Sequence, residues 1–108
     1  MQHRPIAELV ALAGANPEHW HEFVAGDNLI VGVYVLRAGA VDEQEPHAED
    51  EVYVVIAGRS RFTAGDRTVD VGPGDTIHVP AGVAHRYHDI TADLHIVYTL
   101  TPAQAPAD

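Results

Sequence analysis

The chain has 108 residues, enough for one domain with a real core and too few for two. Its 6 basic residues against 16 acidic ones give a formal net charge of -10, a sign that repels phosphate backbones and anionic lipid and argues against nucleic acid or a membrane surface as partner. Cysteine is absent, which excludes disulfides, thiolate metal sites and cysteine nucleophiles, so any metal must be held by nitrogen and oxygen.

No apolar run approaches the roughly 20 residues needed to span a bilayer. Ile6 to Ala13 is apolar, but Glu8 interrupts it and it is short for a secretory leader. A short amphipathic helix and a cytoplasmic location are the expectation. Ile6, Leu9, Val10 and Leu12 fall at helical spacing, with Gly14 as the stop. Asn16-Pro17-Glu18 has the form of a second helix start. The stretch from His19 to Val24 fits a strand equally well, and a strand pair around the turn Gly26-Asp27-Asn28 is favoured.

Beyond that turn the pattern is β throughout. Leu29 to Leu36 is rich in β-branched residues, with Gly32 marking a bulge or a close approach. Glu51 to Ala57, ending at Gly58, is a strand. So are Ser60 to Thr63, Thr68 to Val71, Thr76 to Val79, Ala84 to Ile90 and Leu94 to Leu100. Ala64-Gly65-Asp66 and Gly72-Pro73-Gly74-Asp75 are turns, with Asp75 accepting backbone hydrogen bonds. The tail from Thr101 to Asp108 is Pro/Ala-rich and reads as loosely docked. Short strands between Gly/Pro turns give an all-β sandwich or barrel, and strand parity alone leaves both open. The whole chain, 1–108, reads as one domain: an N-terminal extension over 1–27, a core over 28–100 and the tail.

The chemistry concentrates in two stretches. His47 and Glu51 are four residues apart, so on an extended chain they face one side, and Glu45 shares that side. A turn at Pro80 and Gly82 delivers His85 to the start of a strand. Two imidazoles and a carboxylate suit Fe(II), Mn(II), Ni(II) or Zn(II). Glu51 opens an apolar strand, where a buried carboxylate needs a partner. Tyr53 and Tyr87 each lie two residues beyond a proposed ligand. Parity points them to the same face, as core aromatics or as groups that orient a ligand and supply a proton.

These stretches resemble the two signature motifs of the cupin superfamily, in its small single-domain form. Gly39, His47, Glu51 and Gly58 fall on the first motif at its spacings, and Gly74, Pro80, Gly82 and His85 on the second. Asp89 stands where the family usually has Asn. The resemblance covers about half the chain and implies a jelly-roll β-barrel, the double-stranded β-helix, with a divalent metal inside near one mouth. Small cupins commonly pair through edge strands and N-terminal segments, so it also implies a homodimer, with Trp20 and Phe23 covering the barrel or the interface.

The chain departs from the family at Glu45, where the first motif usually has its other histidine. Glu45 then is a fourth ligand, or stands behind a two-His-one-carboxylate site as a general base, or marks a site that has been lost. A bulge near Pro46 would bring the Gln44 amide to the pocket instead. His78 either lines the pocket or takes a rim or outward position. His88 is expected outside, and His3, His19, His21 and His95 on the surface or an interface.

The leading expectation is a metal-dependent enzyme on a small organic molecule, of dioxygenase, isomerase, decarboxylase or lyase type, with Glu45 as base and Tyr53 or Tyr87 as acid. The pocket is expected to be lined by Val, Ile, Tyr and Phe with few charges. The alternative is a barrel that captures or senses a small ligand without turning it over.

Overall fold

The structure is a computed structural model that describes residues 1–44, 46 and 48–101. In chain order it carries α1 (Ile6–Ala15), β1 (Trp20–Ala25), β2 (Ile30–Leu36), β3 (Glu51–Ala64), β4 (Arg67–Val71), β5 (Thr76–Val79) and β6 (His85–Leu100). All strand pairs are antiparallel.

The spine is the β3–β6 ribbon, paired from Glu51 opposite Leu100 to Ala64 opposite His85. The C-terminal half of β6 also pairs with β2, which pairs with β1, and the first residues of β3 pair with β5. The far half of β3 pairs instead with β4. The ribbon thus has different neighbours at its two ends within one six-stranded sheet, and it bends between them. The bend is where its register shifts, between Val55 and Arg61. This is the jelly-roll barrel, and the curled sheet encloses one core that includes Tyr53, Val55, Phe62, Tyr87, Leu94 and Ile96.

Two strands are longer than the sequence pattern indicates. Gly58 does not end a strand, and the runs 51–57 and 60–63 are parts of one. Likewise the runs expected at 84–90 and 94–100 fall on one strand, which begins at His85. Gly58 has φ +96°, and a Cβ there would stand 2.3 Å from the Asp93 carbonyl oxygen. Only glycine fits this bend, so the residue that reads as a stop marks a place where the ribbon turns and continues. The opposite strand takes its kink at Asp89, with φ 50°. Asn and Asp are the non-glycine residues most at ease there, which explains why Asp can stand in the motif's Asn position.

Gly32 is the close approach expected of it. A Cβ would fall 2.3 Å from the Tyr98 hydroxyl, and β1 shifts register directly opposite, between Glu22 and Val24. Leu9 and Ala13 of α1 are buried against Val33 and Val35, with Val10, Phe23 and Val97 around them. Burying one leucine in this way contributes roughly 1.5–3 kcal/mol. The helix's buried stripe is narrower than its apolar spacing predicts, since Ile6 and Leu12 stay exposed. Asn16 closes α1 rather than starting a second helix: its backbone N–H caps α1, and its Oδ1 accepts from Glu18 N at 2.9 Å, which turns the chain into β1.

Candidate functional site

Glu51 opens β3 and His85 opens β6, and both are buried in the barrel, from opposite ends of the paired ribbon. The turn at Pro80 and Gly82 is pinned by Ala81 N, which donates to Asp50 Oδ1 at 2.8 Å. It presents the Val83 carbonyl to His85 Nδ1 at 2.8 Å. A carbonyl only accepts, so Nδ1 carries a proton, and Nε2 is the nitrogen left to face the interior. There it stands 3.1 Å from Glu51 Oε1 and 3.0 Å from the Tyr53 hydroxyl. The two side chains of the ion pair are 2% and 4% exposed. Burial pushes the His85 pKa down, but the hydrogen bond to Glu51, the Val83 carbonyl and the charges of Glu51 and Asp42 outweigh it, and the net shift is upward.

A hydrogen-bonded chain runs outward from this pair. Tyr53 Oη donates to Gln44 Oε1 at 2.7 Å, Gln44 Nε2 to Asp42 Oδ2 at 2.8 Å, and Tyr34 Oη to Asp42 Oδ1 at 3.1 Å. Asp42 Oδ2 also accepts from Tyr87 N at 2.9 Å, which ties the loop after β2 to β6. Gln44 thus does reach the site. Asp42 and Tyr34 are additions that the sequence reading missed. The period-two alternation of Asp42 and Gln44 is the hint the chain offers, while their partners come from β2, β3 and β6, which no local pattern reveals.

Tyr53 and Tyr87 are both buried, in an aromatic cluster with Phe62 whose ring centroids lie 4.7–5.9 Å apart. Burial first, then the charge of Glu51, holds the Tyr53 hydroxyl far above the ordinary tyrosine range. Burial, then Asp42 and Glu51, does the same at Tyr87. The Tyr87 hydroxyl has no hydrogen-bond partner among the described residues. Glu45 and His47 lie outside the described residues, as does 102–108. Among the described residues no three ligating side chains converge; Glu51 and His85 are the two that do. A hard carboxylate oxygen and the lone-pair side of an imidazole, aimed at one point and held by a fixed Nδ1 bond, fit a divalent cation.

Glu51, Tyr53 and Gln44 line a cavity of about 620 Å³ that opens at the β1–β2 end of the barrel. Tyr34, Tyr98, Val41, Leu100 and Trp20 line it further, together with Glu18, Glu22 and Glu43. The wall is therefore not poor in charge, as apolar strand composition implied: the acidic residues enter from β1 and the loops on either side of the β1–β2 pair. Trp20 is part of this wall. His78 is on the exposed surface. His88 is partly covered, with Nε2 2.7 Å from Thr63 Oγ1. Asp75 serves its turn as expected, accepting from Gly72 N at 2.8 Å.

The family model of the cupin domain, Cupin_2, matches residues 32–99. The chain belongs to the cupin family. It is 43% identical over 100 residues to the uncharacterized protein SCO3923 of Streptomyces coelicolor, covering 93% of this cupin and 95% of that one. Among solved structures it is similar to TT1209 of Thermus thermophilus, with a TM-score of 0.78 at 21% identity, covering 94% of this chain and 98% of the other. It is also similar to the DMSP lyase DddQ of Ruegeria pomeroyi, with a TM-score of 0.72 at 21% identity over 82% of this chain. This cupin spans 48% of the length of that lyase. Likeness at that identity speaks for the shared barrel. No helix among the described residues is long and apolar enough to cross a membrane.

Proposed function

We propose that this cupin holds one divalent metal ion, Fe, Mn, Zn or Ni, through His47, Glu51 and His85, and acts on a small organic molecule in the adjoining cavity. The observation that carries the reading is the meeting of His85 Nε2 and Glu51 Oε1 at 3.1 Å, buried, with Nδ1 already committed to Val83. When bound, a divalent ion supplies Lewis-acid polarisation of a substrate oxygen, and iron adds redox chemistry. The chain's own groups orient the molecule. Tyr53, on the cavity wall, donates a hydrogen bond and stays protonated at neutral pH. Tyr87 backs it through ring contact at 5.4 Å. Glu45 is the fourth ligand or the base. A reaction that breaks or rearranges bonds next to a polarised oxygen, of lyase, isomerase or decarboxylase type, or a dioxygenase reaction with iron, is consistent with these groups. The related fold of a DMSP lyase adds weight to the first of them.

Elemental analysis of protein purified anaerobically without chelator tests this. One equivalent of metal per chain is expected, lost in His47→Ala and in His85→Ala and kept in His95→Ala. A folded protein that neither retains nor rebinds Mn, Fe, Ni or Zn overturns it. The alternative, a barrel that captures a ligand without turnover, is favoured by the tyrosines, whose raised pKa values make them poor acids. Pairing of two copies through the outer edge of β1, which the family implies, is read by light scattering.

A further inference from the structure

We infer that the molecule this cavity takes is a small organic cation, with its charged end at the mouth and an oxygen-bearing end toward Glu51 and His85. The inference rests on the proposed reading of the cavity floor as the reactive centre. Two independent features of the wall carry it. The first is charge. Glu18, Glu22 and Glu43 line the mouth, and none of the described lining residues is basic. The chain has no lysine, and its six arginines lie elsewhere. Arg4 pairs with Glu8 on α1, Arg37 with Asp93, and Arg61 with Asp70. An anionic substrate would have to pass three carboxylates at the mouth, with no basic side chain among the described lining residues to draw it in there, in a protein of net charge -10.

The second feature is the aromatic wall. Trp20, Tyr34 and Tyr98 come from three adjacent strands and line the same space as the carboxylates. Ring faces attract a cation that has shed part of its water, and tryptophan does so best. Carboxylates alone would hold a hydrated ion as well as an organic one. Rings alone would hold a neutral apolar group. Their combination selects a cation that also carries apolar surface, such as a substituted ammonium or sulfonium. At about 620 Å³ the space accommodates a small molecule that reaches from rim to floor.

Calorimetric titration with choline, its neutral isostere 3,3-dimethyl-1-butanol and the anion 3,3-dimethylbutanoate tests this. Fluorescence of Trp20, the sole tryptophan, places binding at the mouth. Choline should bind about tenfold more tightly than the alcohol, and the butanoate most weakly. In Glu22→Gln/Glu43→Gln the preference should shrink to about two- to threefold with the affinity for the alcohol unchanged. Equal affinity for choline and the alcohol, tighter binding of the butanoate, or no binding of choline overturns the inference. The same titrations on metal-loaded and chelator-treated protein separate the two readings. A choline preference in a protein that takes up no metal keeps this inference and removes the metal site. Metal uptake without a choline preference does the reverse.

Discussion

Glu51 and His85 are 3.1 Å apart although they stand at opposite ends of the β3–β6 ribbon, Glu51 across from Leu100 and His85 across from Ala64. On a flat ribbon the distance from Glu51 to Ala64 would be about 40 Å. The bend between Val55 and Arg61 closes it, by laying one half of the ribbon over the other. The candidate site is thus a product of curvature, and its chemistry depends on residues that never touch it.

Gly58→Ala tests that dependence. The substitution forces a Cβ against the Asp93 carbonyl and puts alanine at φ +96°. A loss of about 2–4 kcal/mol is expected in urea denaturation, together with weaker metal uptake. Gly65→Ala is the control. Gly65 has φ +59° but open space around it, so about 1–2 kcal/mol is expected there, with metal uptake intact. Equal effects of the two would show that the bend does not support the site.

The two buried tyrosines should respond in opposite directions. Tyr53→Phe deprives Gln44 Oε1 of its donor and takes a neighbour from His85, and should cost about 1–2 kcal/mol. Tyr87→Phe removes a hydroxyl that has no partner among the described residues. It should be neutral or stabilising by up to about 1 kcal/mol, because a desolvated group is lost and no bond with it. Thermal melts of the two variants decide this. A Tyr87→Phe protein less stable than the parent by more than about 1 kcal/mol would mean that the hydroxyl has a partner after all.

Much of this was legible in the chain, for a physical reason. Gly39, Gly58, Gly74 and Gly82 all have positive φ, between 80° and 96°. Backbone that only glycine adopts readily leaves its mark on sequence, and so the motif spacings carry the fold. Glu51 is singled out by the strand period it shares with His47, and His85 by the Pro80–Gly82 turn that precedes its strand. The Asp42–Gln44–Tyr34 network was not legible, because Asp42 and Gln44 stand in a loop where no strand period assigns a face, and the Tyr87 N–H that anchors Asp42 comes from 45 residues away. Nor was the acidic mouth. Glu18, Glu22 and Glu43 look like ordinary solvated residues until β1 is seen to pair beside the cavity.

Acid–base linkage gives a further expectation, for metal-free protein. His85 has a pKa raised above its unfolded value of about 6.5. Its contribution to stability is therefore fully present below about pH 6.5 and disappears as pH rises through the folded-state value. The difference in unfolding free energy between parent and His85→Gln, measured from pH 5 to 9, should narrow toward the alkaline end. A gap that widens with pH would contradict the sign of the shift.

Removal of the carboxylate is the sharpest single change. Glu51→Ala takes from the buried His85 Nε2 an oxygen at 3.1 Å. In metal-free protein a cost of about 1–3 kcal/mol is expected by urea denaturation. In the presence of metal the gap should be larger, since the parent gains a ligand-linked term of about 2.7 kcal/mol at a free-metal level 100 times Kd, which the variant forgoes.

The wound ribbon also sets an order of events in time. Its pairings join residues far apart in the chain, so loops must close before contacts are gained, and such topologies fold slowly. Glu51 and His85 can meet only after both halves of the ribbon have formed and swung together. An ion clasped between them would act as a latch on a door already shut. It would leave the folding rate almost unchanged and lengthen the lifetime of the closed barrel.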